Sequence, residues 1–142
     1  MQHSSTTHAS SLSTLSTDFL KCGIFGWCIE VLWTGTGNLL RHDKSCTANT
    51  SILMFPIYGL AAFIRPLSKF LSKRNVLFRG SVYTLLIFTM EYLTGSGLKK
   101  LNMCPWDYSK SRYNIKGVIR LDYAPAWFTV GLFYEKILNI YK

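Results

Sequence analysis

Four long apolar stretches alternate with short polar ones along this chain. The first covers residues 19–40, and its 19 residues from Cys22 to Leu40 carry one charge, Glu30. As a helix that run is about 28 Å long, close to the apolar thickness of a bilayer. The second covers 45–64, 20 residues without a charge, with Pro56 inside it to kink a helix. The third covers 76–98 and is broken by Arg79 and Glu91; the fourth covers 123–141 and is broken by Glu135 and Lys136. A soluble four-helix bundle would show a polar stripe on every helix, and the second stretch has none. Trp, Tyr and Phe crowd the stretch ends, as at membrane interfaces. The pattern predicts an all-α, polytopic membrane protein. Residues 18–142 form a four-helix transmembrane domain, with a structured loop between helices three and four. Residues 1–17 contain ten Ser or Thr and no large apolar cluster, so they read as a disordered tail. They do not read as a signal peptide, since no basic segment leads into a short apolar run.

Composition sharpens this picture. The chain has 142 residues, 49% of them apolar and 16% charged, with a net charge of +9. A basic, aromatic-rich chain could bind nucleic acid. Here the charge sits in loops between apolar stretches, which excludes that reading. Lys69, Lys73 and Arg74 make the second loop short and basic, hence cytoplasmic, and both termini follow it. The third loop opposes this with Lys99, Lys100, Lys110, Arg112, Lys116 and Arg120. The sequon Asn49-Thr50-Ser51 lies in the first loop, on the opposite side, where Asn49 is a possible glycosylation site.

The first and third stretches echo each other. Glu30-Val31-Leu32-Trp33-Thr34-Gly35-Thr36-Gly37 parallels Glu91-Tyr92-Leu93-Thr94-Gly95-Ser96-Gly97 with one gap. Pro56 precedes Tyr58 by two, as Pro125 precedes Trp127. Either the chain is two tandem helical hairpins, or short apolar strings match by chance. Glu30 and Glu91 fall at membrane depth with small residues one turn away, so they point at other helices rather than lipid. With Arg65 they make a candidate intramembrane polar network, either packing glue or a functional site. Glu135 lies beside Lys136 near a stretch end and reads as a snorkelling surface residue.

The third loop is the other unusual region. Pro105 ends the helix before it, and Trp106 and Tyr108 suit the headgroup level. Trp106, Asp107, Tyr108, Lys116 and Arg120 are the candidate headgroup-facing residues. They form an interfacial cap, or a lid over the acids.

These strings carry a family resemblance. Gly26-Trp27-Cys28-Ile29-Glu30-Val31, Glu91-Tyr92-Leu93-Thr94-Gly95, Cys104-Pro105-Trp106-Asp107-Tyr108-Ser109 and Ala124-Pro125-Ala126-Trp127-Phe128 look like the transmembrane protein 229 family. The resemblance covers residues 19–135, and the chain is B-like by length. Related bacterial proteins are CmpB-like and carry an ABC-transporter type IV label. The resemblance implies a four-span membrane protein and transfers no catalytic residue.

Several chemistries are missing. Gly95-Ser96-Gly97-Leu98-Lys99-Lys100 lacks the spacing of a phosphate-binding P-loop, so an ABC role needs a separate nucleotide-binding chain. No His lies in the apolar stretches, so neither a Ser-His-Asp triad nor a His-based metal site is expected. Cys22, Cys28, Cys46 and Cys104 form no Cys-x-x-Cys pair, and free thiols are expected over a Cys46–Cys104 bridge. No metal, cofactor or nucleic acid is expected. The partners are membrane lipids and either a second copy or another membrane protein. Three functions fit: a membrane component that is not an enzyme, a transport or channel-like component acting as an oligomer or with a partner, and a lipid-binding or lipid-modifying protein.

Overall fold

The computed structural model describes residues 3–139, with side chains from residue 12 onward. The chain divides into two compact units, the first ending at Ala62 and the second starting at Phe63.

Helix α1 (His3–Leu40) dominates the first unit. Its 38 residues make a rod of about 57 Å. It begins at His3, within the Ser/Thr-rich segment. No Gly or Pro interrupts the chain before Gly23. The hydroxyls that compete with a helix turn back onto it: Ser16 donates to the Leu12 carbonyl at 3.0 Å and Thr17 to that of Ser13 at 2.9 Å. Asp18 and Cys22 are then buried one turn apart. At the far end, the Asp43 N–H bonds the Asn38 carbonyl and His42 sits at φ 68°. This left-handed closure satisfies the last carbonyls of the helix.

The second apolar stretch does not form one span. Residues 45–53 are an irregular strap running back along α1. Asn38 Nδ2 donates to the Thr47 carbonyl at 2.7 Å, and Trp27 Nε1 to that of Ser51 at 3.1 Å. Ser45, Thr47, Asn49, Thr50 and Ser51 are uncharged, but their side chains compete for local backbone groups and disfavour helix. Helix α2 (Met54–Gly59) comes next, then a 3-10 turn (Leu60–Phe63) and helix α3 (Ile64–Phe70). Pro66 explains the break, because it has no N–H for the Ala62 carbonyl and its ring crowds that oxygen. Gly59 lets α2 lie on α1, since a methyl there would sit 2.5 Å from the Phe19 ring.

In the second unit, Asn75 caps helix α4 (Val76–Lys100) by accepting the Phe78 N–H at 2.8 Å. Among the described residues α4 is the one helix long and apolar enough to cross a membrane, and 11% of its apolar window is buried. A soluble core helix would be mostly buried. The expectation of four spans is therefore corrected. The apolar half of α1 is diluted by Gly, Thr, Trp and Glu30, and the second stretch is broken. Helix α5 (Ala124–Asn139) has 16 residues, about 24 Å. The last part of the expected fourth stretch, 140–141, lies outside the described residues.

Helices α4 and α5 pack antiparallel through two notches. A methyl on Gly131 would lie 2.5 Å from Tyr83 Cβ, and one on Gly80 would overlap the Phe128 ring. Asn139 at the end of α5 donates to Ser68 on α3 at 3.1 Å. Between α4 and α5, strands β1 (Asn114–Ile115) and β2 (Ile119–Arg120) pair antiparallel, Ile115 opposite Ile119. A short 3-10 turn (Leu121–Tyr123) then leads into α5.

The glycines divide into two kinds. Gly37 and Gly97 have nothing within 4 Å of an added Cβ. Gly37→Ala and Gly97→Ala should each gain up to ~1 kcal/mol from helix propensity. Gly80→Ala should lose about 1–3 kcal/mol by overpacking. Denaturant unfolding in detergent reads these signs, and a stabilising Gly80→Ala would refute the notch.

Candidate functional site: the cap on α4 and the acids beside it

The cap is built from residues 101–123 around a two-strand hairpin. Lys116 (φ 52°) and Gly117 (φ 66°) form its tip, closed by the Val118 N–H on the Ile115 carbonyl at 3.0 Å. Two successive positive φ values define the mirror-image turn that suits a tight hairpin. Gly117 is also needed for space, because a methyl there would lie 2.5 Å from Lys99 Nζ and 2.9 Å from Asp107 Oδ1.

Trp106 fastens this hairpin to α4. Its Nε1 donates to the Val118 carbonyl at 3.1 Å, and its ring fills the notch at Gly95. Tyr108 stacks edge-on against Tyr123, and Tyr123 against Trp127. Asp107 accepts both the hydroxyl and the N–H of Ser109 and pairs with Lys99 at 3.2 Å. The Ser109 hydroxyl above all, with its N–H and Lys99, pulls the Asp107 carboxyl down to about 2. Arg120 is held by Asp122 at 2.8 Å and lies over the Tyr123 ring. Arg120 is therefore engaged inside the cap, whereas Asp107 and Lys116 both reach back to α4. Its ammonium donates to the Tyr92 hydroxyl at 2.9 Å, which holds it above the usual lysine range.

Lys116 closes one side of a pocket of ≈ 400 Å³ lined also by Tyr92, Ser96, Lys99, Lys100 and Val118. The sequence pattern does not single out Tyr92, Ser96, Lys99 and Lys100 as site residues. Their spacing, one turn and then another along α4, places them on one face and is the signal that could have found them.

The acids have separate surroundings. In the first unit, Glu30 Oε2 accepts from the Thr50 hydroxyl at 2.7 Å and the carboxylate also bonds the Tyr58 hydroxyl. In the second unit, Glu91 faces Trp127 across the α4–α5 contact. Glu91 Oε2 and Trp127 Nε1 are both buried there. Arg65 lies on α3 in the second unit, its carbonyl taken by Ser68. Glu135 does not snorkel: it pairs with Arg79 at 3.3 Å, beside the buried Tyr83.

The two units repeat several local details. Each acid faces the aromatic residue two after a proline, Tyr58 after Pro56 and Trp127 after Pro125. Helix α4 also closes as α1 does: the Met103 N–H bonds the Leu98 carbonyl and Asn102 sits at φ 53°. His42 and Asn102 occupy corresponding positions in the gapped match of the two helices. Gly35 admits the Cys46 carbonyl of the strap, as Gly95 admits Trp106. In the first loop Asn49 is exposed, and no disulfide joins Cys22, Cys28, Cys46 or Cys104. No cluster of three or more potential metal ligands occurs among the described residues.

A family described as "Putative ABC-transporter type IV" (ABC_trans_CmpB) matches residues 17–141. The chain belongs to this family. The CmpB match spans both acids, the strap and the cap. No solved structure matches the fold.

Two measurements test the cap. Gly117→Ala forces a left-handed alanine against Lys99 and Asp107, and should cost about 2 kcal/mol of local order. Faster amide exchange at Tyr108 and Val118 is the expected readout. The Asp107 carboxyl is depressed, so its stabilising contribution is complete above the ordinary aspartate range, near ~4. It fades as pH falls through about 2. A 13C titration of this carboxyl should find its midpoint well below an ordinary aspartate, and a midpoint near ~4 would break the assignment to Ser109 and Lys99.

Proposed function

We propose that the chain is a membrane-embedded component of a transport assembly, acting as an oligomer or with a partner chain, and not an enzyme in its own right. The observation that carries this reading is Glu91. It is a carboxylate on the helix long enough to cross a bilayer, with one oxygen buried and set against the Trp127 N–H of α5. Ionisable groups at membrane depth are costly to keep and mark pathways for ions or polar substrates. Membership of the CmpB family supports the transport reading. Since α5 packs antiparallel on α4, a bilayer crossed by α4 also takes in α5, which supports a multi-pass arrangement. The basic residues Lys69, Lys73 and Arg74 before α4 support a cytoplasmic start for that helix.

The shared closures and acid–aromatic pairs of the two units support a duplicated helical hairpin, with Glu30 and Glu91 as its corresponding acids. The Pro105-Trp106-Asp107-Tyr108-Ser109 cap supports closer kinship with the transmembrane protein 229 members of the group.

Glu91→Gln removes the charge and keeps the shape. In a cell whose growth or uptake depends on the protein, this variant should lose at least tenfold in activity while membrane abundance stays within twofold. Abundance falling in step with activity would make Glu91 packing glue and overturn the transport reading.

A further inference from the structure

Three lysines, Lys99, Lys100 and Lys116, line the pocket at the C-terminal end of α4 together with Tyr92 and Ser96. Asp107 on Lys99 is the carboxylate paired within this group, so three positive charges against one negative leave two. Lys99 is spent on Asp107 and on the Lys116 carbonyl. Lys116 donates to the Tyr92 hydroxyl, which also bonds Ser96, and keeps two ammonium hydrogens to donate. Lys100 lines the same pocket one residue further along the helix and can turn its ammonium inward.

The backbone adds a separate observation. Lys116 occupies a left-handed position at φ 52°, where Asn, Asp or Gly is favoured and an ordinary side chain is strained. A residue held against backbone preference marks a functional constraint when its side chain is aimed at a site. The Lys116 ammonium is so aimed, onto the Tyr92 hydroxyl at the pocket wall.

We infer that this pocket binds a phosphate group, held by Lys100, Lys116 and the Tyr92 hydroxyl. Phosphate matches the donors: it is anionic, tetrahedral and rich in acceptor oxygens, and ammonium groups bind it as point charges. The pocket stands at the end of α4 together with Trp106, a residue suited to the headgroup layer. A phospholipid headgroup can supply the phosphate there; so can the soluble anion. The headgroup source rests on the reading that α4 crosses the bilayer.

The test uses the full chain purified in detergent. Native mass spectrometry reads retention of phosphatidic acid against phosphatidylcholine, and 31P line broadening reads binding of inorganic phosphate. Lys100→Gln with Lys116→Asn removes two pocket charges, and Asn tolerates the left-handed turn. Lys110→Gln with Arg112→Gln removes two charges from the same cap outside the pocket. A headgroup site is expected to show as phosphatidic acid preferred by the wild type, a preference about thirtyfold weaker in the pocket variant and unchanged in the control. Line broadening lost in the pocket variant alone, without a lipid preference, assigns the site to soluble phosphate. Equal losses in both variants, or a wild type that binds neither probe, overturn the proposal. Lys100→Gln alone, away from the turn, must give an intermediate loss; no loss overturns the role of Lys100. Carbonate extraction of the wild type tests membrane insertion separately. A chain that carbonate releases and that still binds phosphate would fail as a membrane protein while keeping its pocket.

Discussion

Each long helix here is held by chain that doubles back over it, and the contact is made at glycine. Along α1 the strap reaches the backbone at Gly35, and α2 lies down where Gly59 leaves room for Phe19. Along α4 the cap seats Trp106 and Val118 at Gly95, and α5 approaches at Gly80 and Gly131. These notches matter because a helix with a mostly exposed apolar surface gains little from burying that surface in its own unit. Close backbone approach and satisfied hydrogen bonds must do what a wide core does elsewhere.

The polar groups obey the same logic. Trp27, Glu30 and Asn38 on α1 bond the strap, and Lys99 on α4 bonds the cap. Side chains that look out of place in apolar stretches are thus the anchors of the returning chain. Glu91 is the exception. Its carboxylate faces the Trp127 N–H on the neighbouring helix α5 rather than a strap or cap.

Helix α4 was legible in the sequence almost to the residue, because its sustained apolar run starts and stops where the helix does. The second stretch was not. It lacks charge, but its first half is hydroxyl-rich, and uncharged is not the same as apolar. Pro66, just beyond the stretch, breaks the helix at its end. Asp107, Lys116 and Arg120 were visible as a charged loop, but their roles were not. The hairpin tip turns Lys116 back toward Tyr92, and Arg120 away into Asp122. Such pairings depend on a turn of four residues that charge patterns do not encode.

The tip at Lys116 and Gly117 sets two selective pressures against each other. Backbone geometry at position 116 favours glycine or asparagine, whereas the chemistry at the end of the side chain favours a cation. In a library randomised at this one codon, selection for folding alone should drift toward the small turn formers. Whatever lysine or arginine survives selection for activity then measures, in units of fitness, what the charge contributes beyond the fold.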